Sequence, residues 1–163
     1  MSPRPPSIRD KRRYLLVQIF PRCLRPDQKD LYLAVQDAVT SLWGDAASAR
    51  IQMAVVAGTH GYGIIRCLRG TESQLATAIS TVTTISGQLA CIRSCALSGT
   101  IAALQRRGIP PPACLPSPLD AEAAFDGRTF AIQCRDGEKV DLIEKGFKTQ
   151  ELLFLTEQEI EVI

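Results

Sequence analysis

The stretch Arg50-Ile-Gln-Met-Ala-Val-Val-Ala-Gly-Thr-His-Gly-Tyr-Gly-Ile-Ile-Arg-Cys-Leu-Arg69 decides how this chain is read. Residues Arg50–Ala57 alternate Ile51, Met53 and Val55 with Gln52, Ala54 and Val56, the period of two that a strand requires. Gly58–Gly63 then reads as a hairpin connection and Ile64–Arg69 as the return strand. The three glycines of the turn join strand to strand and lack a following Lys-Ser/Thr. A plain hairpin is therefore favoured over a phosphate cradle.

Outward from the hairpin, a helix is predicted on each side. Upstream, Asp27–Trp43 carries the stripe Leu31, Val35, Ala38, Val39 and Leu42, opened by Pro26 or Asp27 and closed by Gly44. Downstream, a helix starts at Thr71, with Gln74 three residues on as in a capping box. Its stripe is Leu75, Ile79 and Val82, and it runs to about Ile85 before Gly87. Beyond the helices lie two more strands. Tyr14–Phe20 ends at Pro21, with Leu15, Val17 and Ile19 on one face and Tyr14, Leu16, Gln18 and Phe20 on the other. Gln88–Leu97 is the second, and Ser98 then caps a short helix, Gly99–Arg107, ended by Gly108 and Pro110. The order β-α-β-β-α-β predicts an α+β fold, a ferredoxin-like (RRM-like) split βαβ sandwich. Its form is a four-stranded antiparallel sheet with the two main helices on one face.

The remaining chain divides by composition. Residues 1–12 read as a basic flexible arm, 13–109 as the domain, 110–118 as a Pro-rich linker and 119–163 as an acidic, β-rich C-terminal extension. In the extension, Thr129–Cys134 and Lys139–Ile143 flank an Asp-Gly hairpin signal at Arg135–Glu138. The extension reads as too small for a core of its own. It is expected to fold back on the body, where Leu152, Leu153 and Phe154 could cover the second sheet face.

The 163 residues carry a formal net charge of +2, but the charge is unevenly placed. Residues 1–112 hold 14 Lys+Arg and 6 Asp+Glu, a net +8, and residues 113–163 hold 5 and 11, a net −6. A basic body with an acidic tail points to a polyanionic partner for the body. The tail could mask that surface. An apolar fraction of 45% excludes wholesale disorder. No apolar run reaches the roughly 20 residues of a membrane helix. No apolar signal-peptide core follows the basic start, so a cytoplasmic protein with no membrane partner is expected. Cys23, Cys67, Cys91, Cys95, Cys114 and Cys134 are dispersed without a CxxC spacing, and His60 is the sole histidine. Free thiols are expected, with no metal site.

Nothing in the body assembles an enzyme. Asp27, Asp30, Asp37 and Glu72 fall at helix starts or on solvated faces, and no nucleophile or metal-ligand motif occurs. No catalytic residue is therefore assigned. The arginines say more. Arg12 and Arg13 precede the first strand, Arg66 and Arg69 lie on and after the third, Arg93 lies on the fourth, and Arg106 and Arg107 end the last helix. Arginine forks suit phosphate, and converging ones bind nucleic acid through counterion release. The second sheet face carries Tyr14, Leu16 and Phe20, but the other central strand, Ile64–Arg69, has no aromatic. The base-stacking platform of an RNA-recognition module is thus missing. Tyr14, Leu16 and Phe20 are instead expected to form a protein interface.

Four segments in this order resemble ribonuclease P protein component 2, the archaeal form of a subunit shared with eukaryotes. They are Arg12-Arg-Tyr-Leu-Leu-Val17, Gly63-Ile-Ile-Arg-Cys-Leu-Arg69, Ile85-Ser-Gly-Gln-Leu89 and Leu97-Ser-Gly-Thr-Ile-Ala-Ala-Leu-Gln-Arg-Arg107. The match covers about residues 8–107. The resemblance implies a non-catalytic subunit of the ribonucleoprotein that removes the 5′ leader from precursor tRNA. It implies as partners the ribonuclease P RNA, the TIM-barrel component 3, other holoenzyme proteins and a second copy of the chain. It implies no cofactor on this chain, with Mg2+ on the partner RNA. Carried over residue by residue, Arg12, Arg13, Arg66, Arg69, Arg106 and Arg107 are expected to contact RNA, with Arg93 and the segment Ser98, Gly99 and Thr100 beside them. The added fifty residues at the C-terminus depart from the family's usual end, and the fourth strand, Ala90–Cys95, is less basic than is common. A competing reading is a ferredoxin-like regulatory or scaffold module that dimerises or binds a small molecule without RNA.

Overall fold

A computed structural model describes residues 10–22, 24–59, 61–107, 115–116, 121–136, 139–145 and 151–162. Cys23, His60, Cys114, most of the predicted arm 1–12 and most of the linker 110–118 lie outside the described residues.

The body is built from β1 (Arg12–Phe20), α1 (Gln28–Ile51), β2 (Ala54–Thr59), β3 (Tyr62–Leu68), α2 (Glu72–Ser80), the small hairpin β4 (Thr84–Ile85) and β5 (Gln88–Leu89), β6 (Cys91–Ser98) and α3 (Ile101–Arg106). Its main sheet has the order β2-β3-β1-β6, and every neighbouring pair is antiparallel. The alternation in β1 decides both faces. Leu15, Val17 and Ile19 join Leu31, Val35 and Val39 of α1 and Leu75, Ala78 and Ile79 of α2 in the main core. Leu16 turns the other way and packs with Ile64 of β3 and Leu104 of α3. The third helix therefore covers part of the face opposite the two long helices. Sheet and α1 meet closely at Gly63 of β3. A Cβ there would lie 2.8 Å from Leu31 Cδ2 and 3.3 Å from Val17 Cγ2.

Several boundaries differ from the sequence reading, each for a local reason. Gly44 does interrupt the first helix where expected, but a second helical segment follows it directly. The glycine leaves helical geometry for one residue (φ +74°, ψ 173°), and the helix resumes through Ala46, Ala47 and Ala49 to Ile51. Alanine is the strongest helix former, which favours that restart. Ile51 and Met53 are buried at the helix end and in the link to β2, so the apparent alternation from Arg50 mixed two conformations. Leu42, assigned to the core stripe, is 44% exposed. Asp27 does cap the helix, its Oδ1 accepting from the Asp30 N–H at 2.7 Å. Thr71 does not cap α2 with its side chain, because its hydroxyl donates to the Leu68 carbonyl at 2.7 Å. That helix stops at Ser80, ahead of the β-branched run Thr81-Val-Thr-Thr84, and Ser86 and Gly87, both at positive φ, turn β4 into β5. At α3 the cap is Thr100, accepting from the Ala103 N–H at 3.2 Å, while Ser98 accepts from Thr100.

The C-terminal extension contains β7 (Leu115–Pro116), β8 (Glu122–Phe125), β9 (Arg128–Asp136), β10 (Lys139–Glu144), β11 (Leu152–Thr156), a 3-10 turn (Glu157–Glu159) and β12 (Glu161–Val162). The order is β11-β10-β9-β8-β12, with β7 added beside β9. Four strands meander, and a fifth returns after the 3-10 turn to pair with the first of them, the connectivity of a small SH3-like barrel. The extension has a core of its own, correcting the sequence expectation: Ala123, Phe130, Ile132, Val140 and Leu142 are buried together.

Candidate nucleic-acid interface

The antiparallel register brings one set of predicted residues to a single end of the main sheet. Tyr14 of β1 faces Arg66 on one side and Ser98 on the other, while Arg13 faces Cys67 and Arg12 faces Leu68. The Arg69 backbone N–H donates to the Lys11 carbonyl at 2.8 Å, which holds the strand exit beside the β1 entry. Gly99 brings the β6–α3 turn against Arg13: an added Cβ there would lie 3.1 Å from the Arg13 Nη1. Arg12, Arg13, Arg66, Arg69 and Ser98–Thr100 thus gather at one end of the sheet.

Their side chains are held to different degrees. Arg12 Nη1 donates to Gln52 Oε1 at 2.7 Å and the Arg12 guanidinium lies 4.0 Å from Asp10. Arg13 Nε stands 3.3 Å from Glu72 Oε1, an ion pair without hydrogen-bond geometry. Neither Arg66 nor Arg69 has a carboxylate partner among the described residues, and the buried Arg66 Nε has no hydrogen-bond partner among them. Arg106 and Arg107 are exposed at the far end of α3, where Arg106 Nε donates to the Ala102 carbonyl at 3.4 Å. Positive side chains at that end also complement the helix carbonyls.

Arg93 is not part of this group. It pairs with Gln18, four residues along β1 from Tyr14, about 13 Å at strand rise. There it meets the extension. Phe20 and Phe154 rings meet edge to face with centroids 5.2 Å apart, and the Arg22 and Arg93 guanidiniums lie 5.6 Å and 5.4 Å from the Phe20 centroid. The Arg22 backbone N–H donates to Asp141 Oδ2 at 2.9 Å. Burial pushes the Asp141 carboxyl above the ordinary Asp range, and the Arg22 N–H and charge pull it partly back.

This changes the expected protein interface. Leu16 is 4% exposed beneath α3 and Phe20 is 7% exposed against Phe154 and the two arginines. Both are covered by their own chain, because α3 and the extension fold onto the second sheet face. Tyr14 is half-buried beside the Leu16 cluster. Of the three extension residues expected to cover this face, Phe154 reaches Phe20, while Leu153 packs in the extension's own core.

Arg22, Lys139 and Asp141 were not singled out from sequence. The signal for Asp141 was an acidic residue inside the otherwise apolar run Val140–Ile143. Among the described residues, Cys67, Cys91 and Cys95 are free, and burial pushes the Cys67 and Cys95 thiols up. No three His, Cys, Asp or Glu side chains among the described residues gather as a metal site would require.

The Rpp14/Pop5 family profile matches residues 13–109. Ribonuclease P protein component 2 of Methanosphaerula palustris is 47% identical over 161 residues, covering 99% of each chain. The protein of that name from Methanoculleus marisnigri is also 47% identical over 161 residues, again covering 99% of each. These two alignments include the extension. The component 2 of Thermococcus kodakarensis is 34% identical over 106 residues, covering 63% of this chain and 87% of its own.

Proposed function

The chain belongs to the Rpp14/Pop5 family, and on that footing we propose that it is a non-catalytic protein subunit of ribonuclease P, supporting RNA-catalysed removal of the 5′ leader from precursor tRNA. The observation that carries the reading is the full-length 47% identity to component 2 proteins, together with the basic end of the sheet. The body is read as the ferredoxin-like split βαβ sandwich, for which the order β2-β3-β1-β6 is the support.

The action follows from charge. A folded RNA crowds phosphates together, and each close approach must be neutralised. Arg66 and Arg69, without carboxylate partners among the described residues, offer donor forks to phosphate oxygens. Arg12, Arg13, Arg106 and Arg107 extend the basic surface, and the Ser98–Thr100 turn lies against the Arg13 guanidinium. Each phosphate so held releases counterions, which favours binding and lowers the Mg2+ concentration the RNA needs to stay compact. The hydrolysis belongs to the RNA and its metal ions. The TIM-barrel component 3, other holoenzyme proteins and a second copy of the chain are the proposed protein partners.

The test is recovery of the tagged chain from its own cells, followed by sequencing of the bound RNA. Enrichment of ribonuclease P RNA is expected. A complex whose composition survives ribonuclease treatment unchanged, with no RNA enriched, would overturn the reading.

A further inference from the structure

The cleft between body and extension holds a cavity of about 270 Å³, lined in part by Gln18, Phe20, Arg93, Lys139, Asp141 and Phe154. We propose that this cleft is a second RNA site, taking one phosphodiester group and its nucleotide. The inference rests on the ribonuclease P reading and adds the extension to the RNA-binding surface.

Four observations carry it. First, among the described lining residues Arg93 and Lys139 stand beside one carboxylate, Asp141, and one oxygen of that carboxylate accepts from the Arg22 N–H. Second, Arg93 is exposed, stacked on Phe20 at 5.4 Å, and has no carboxylate partner among the described residues. Stacking orders a guanidinium without using its in-plane N–H donors, so the fork stays available for a phosphate. Third, Phe154 is only half-buried, leaving ring surface on which a base can stack. Fourth, about 270 Å³ leaves room for a phosphate and part of its nucleotide but not for a longer oligonucleotide.

The extension's charge pattern fits this better than masking. Four of its described carboxylates are used internally: Glu122 with Lys145, Glu144 and Glu151 with Arg128, Glu159 with Thr156. None of Arg12, Arg13, Arg66, Arg69, Arg93, Arg106 and Arg107 pairs with a carboxylate of the extension among the described residues. Toward Arg93 the acidic extension presents a lysine, Lys139. RNA held at the sheet end could continue about 13 Å along β1 into the cleft.

The test uses the full chain and its cognate ribonuclease P RNA, with affinity measured by fluorescence anisotropy over a series of KCl concentrations. Four proteins are compared: wild type, Arg93→Gln with Lys139→Gln, Arg66→Gln with Arg69→Gln, and Lys139→Glu alone. Each double substitution should lower the slope of log affinity against log salt by up to about 2, one for each phosphate no longer neutralised. Lys139→Glu should weaken binding relative to wild type and lower the slope by about 1, with an unchanged melting temperature, since its side chain is exposed. If the Arg66/Arg69 pair lowers the slope while both Lys139 variants leave it at the wild-type value, the cleft proposal fails and the subunit reading stands. If wild type shows no salt-dependent binding, both fail.

Discussion

The backbone N–H of Arg22 donates to the carboxylate of Asp141 at 2.9 Å, joining two residues 119 positions apart in the chain. This bond ties the exit of β1 to the middle of β10, beside the Phe20–Phe154 contact. Asp141→Ala leaves the Arg22 N–H without that acceptor and should weaken the docked arrangement by about 1–3 kcal/mol. Asp141→Asn keeps an oxygen in place and should lose much less. Hydrogen exchange at the Arg22 amide checks this: faster exchange in Asp141→Ala alone is expected, and equal rates in both variants would contradict it.

Asp141 also gives the docking a pH dependence. Burial raises its carboxyl above the ordinary range, so the folded chain keeps a proton that the unfolded chain has released. Stability contributed at this site therefore falls as pH rises from about 4 through the raised value. Urea midpoints of wild type should decline across that window relative to Asp141→Asn. Parallel pH profiles for the two proteins would remove Asp141 as the cause.

The two aromatic partners should behave differently. Phe20 is 7% exposed, and Phe20→Ala is expected to cost about 3–5 kcal/mol in the body. Phe154 is half-buried, so Phe154→Ala should mainly loosen the extension, losing the ring pair worth about 0.5–1.5 kcal/mol plus part of its burial. Denaturation followed separately by Trp43 fluorescence, which reports on the body, separates the effects. Equal shifts in both variants would refute the distinction.

Glycines test packing against function. Gly63→Ala drives a methyl to 2.8 Å from Leu31 Cδ2 in the core and should destabilise by about 1–3 kcal/mol. Gly99→Ala instead meets the flexible end of the Arg13 side chain at 3.1 Å, so it should leave the melting temperature nearly unchanged while weakening RNA binding. A Gly99→Ala protein that binds RNA like wild type would remove Arg13 and its turn from the interface.

The sequence made some of this legible and hid the rest for physical reasons. The alternation of Tyr14–Phe20 and the paired strands around Gly58–Gly63 were readable because side-chain period and turn chemistry are local. The break at Gly44 was readable too, but not the alanine-rich helical segment that restarts beyond it and runs to Ile51. The gathering of Arg12, Arg13, Arg66 and Arg69 follows from strand register and was foreseeable once the topology was known. The covering of Phe20 by Phe154 was foreseen from the apolar run Leu152–Phe154, whereas the bond from Arg22 to Asp141 was hidden because it joins residues 119 positions apart that meet only once the extension has folded its own core. Arg93, grouped by charge with the other arginines, is separated from them by four residues of strand.

The central claim is that this chain serves ribonuclease P, and reconstitution by omission tests it most directly. Cognate RNA and the other holoenzyme proteins are assembled with and without the chain, and precursor-tRNA cleavage is followed across a Mg2+ series. The expected result is that omission shifts the Mg2+ requirement upward and sharply slows cleavage at low Mg2+, with Arg66→Gln/Arg69→Gln falling between. Identical Mg2+ profiles with and without the chain would contradict the claim.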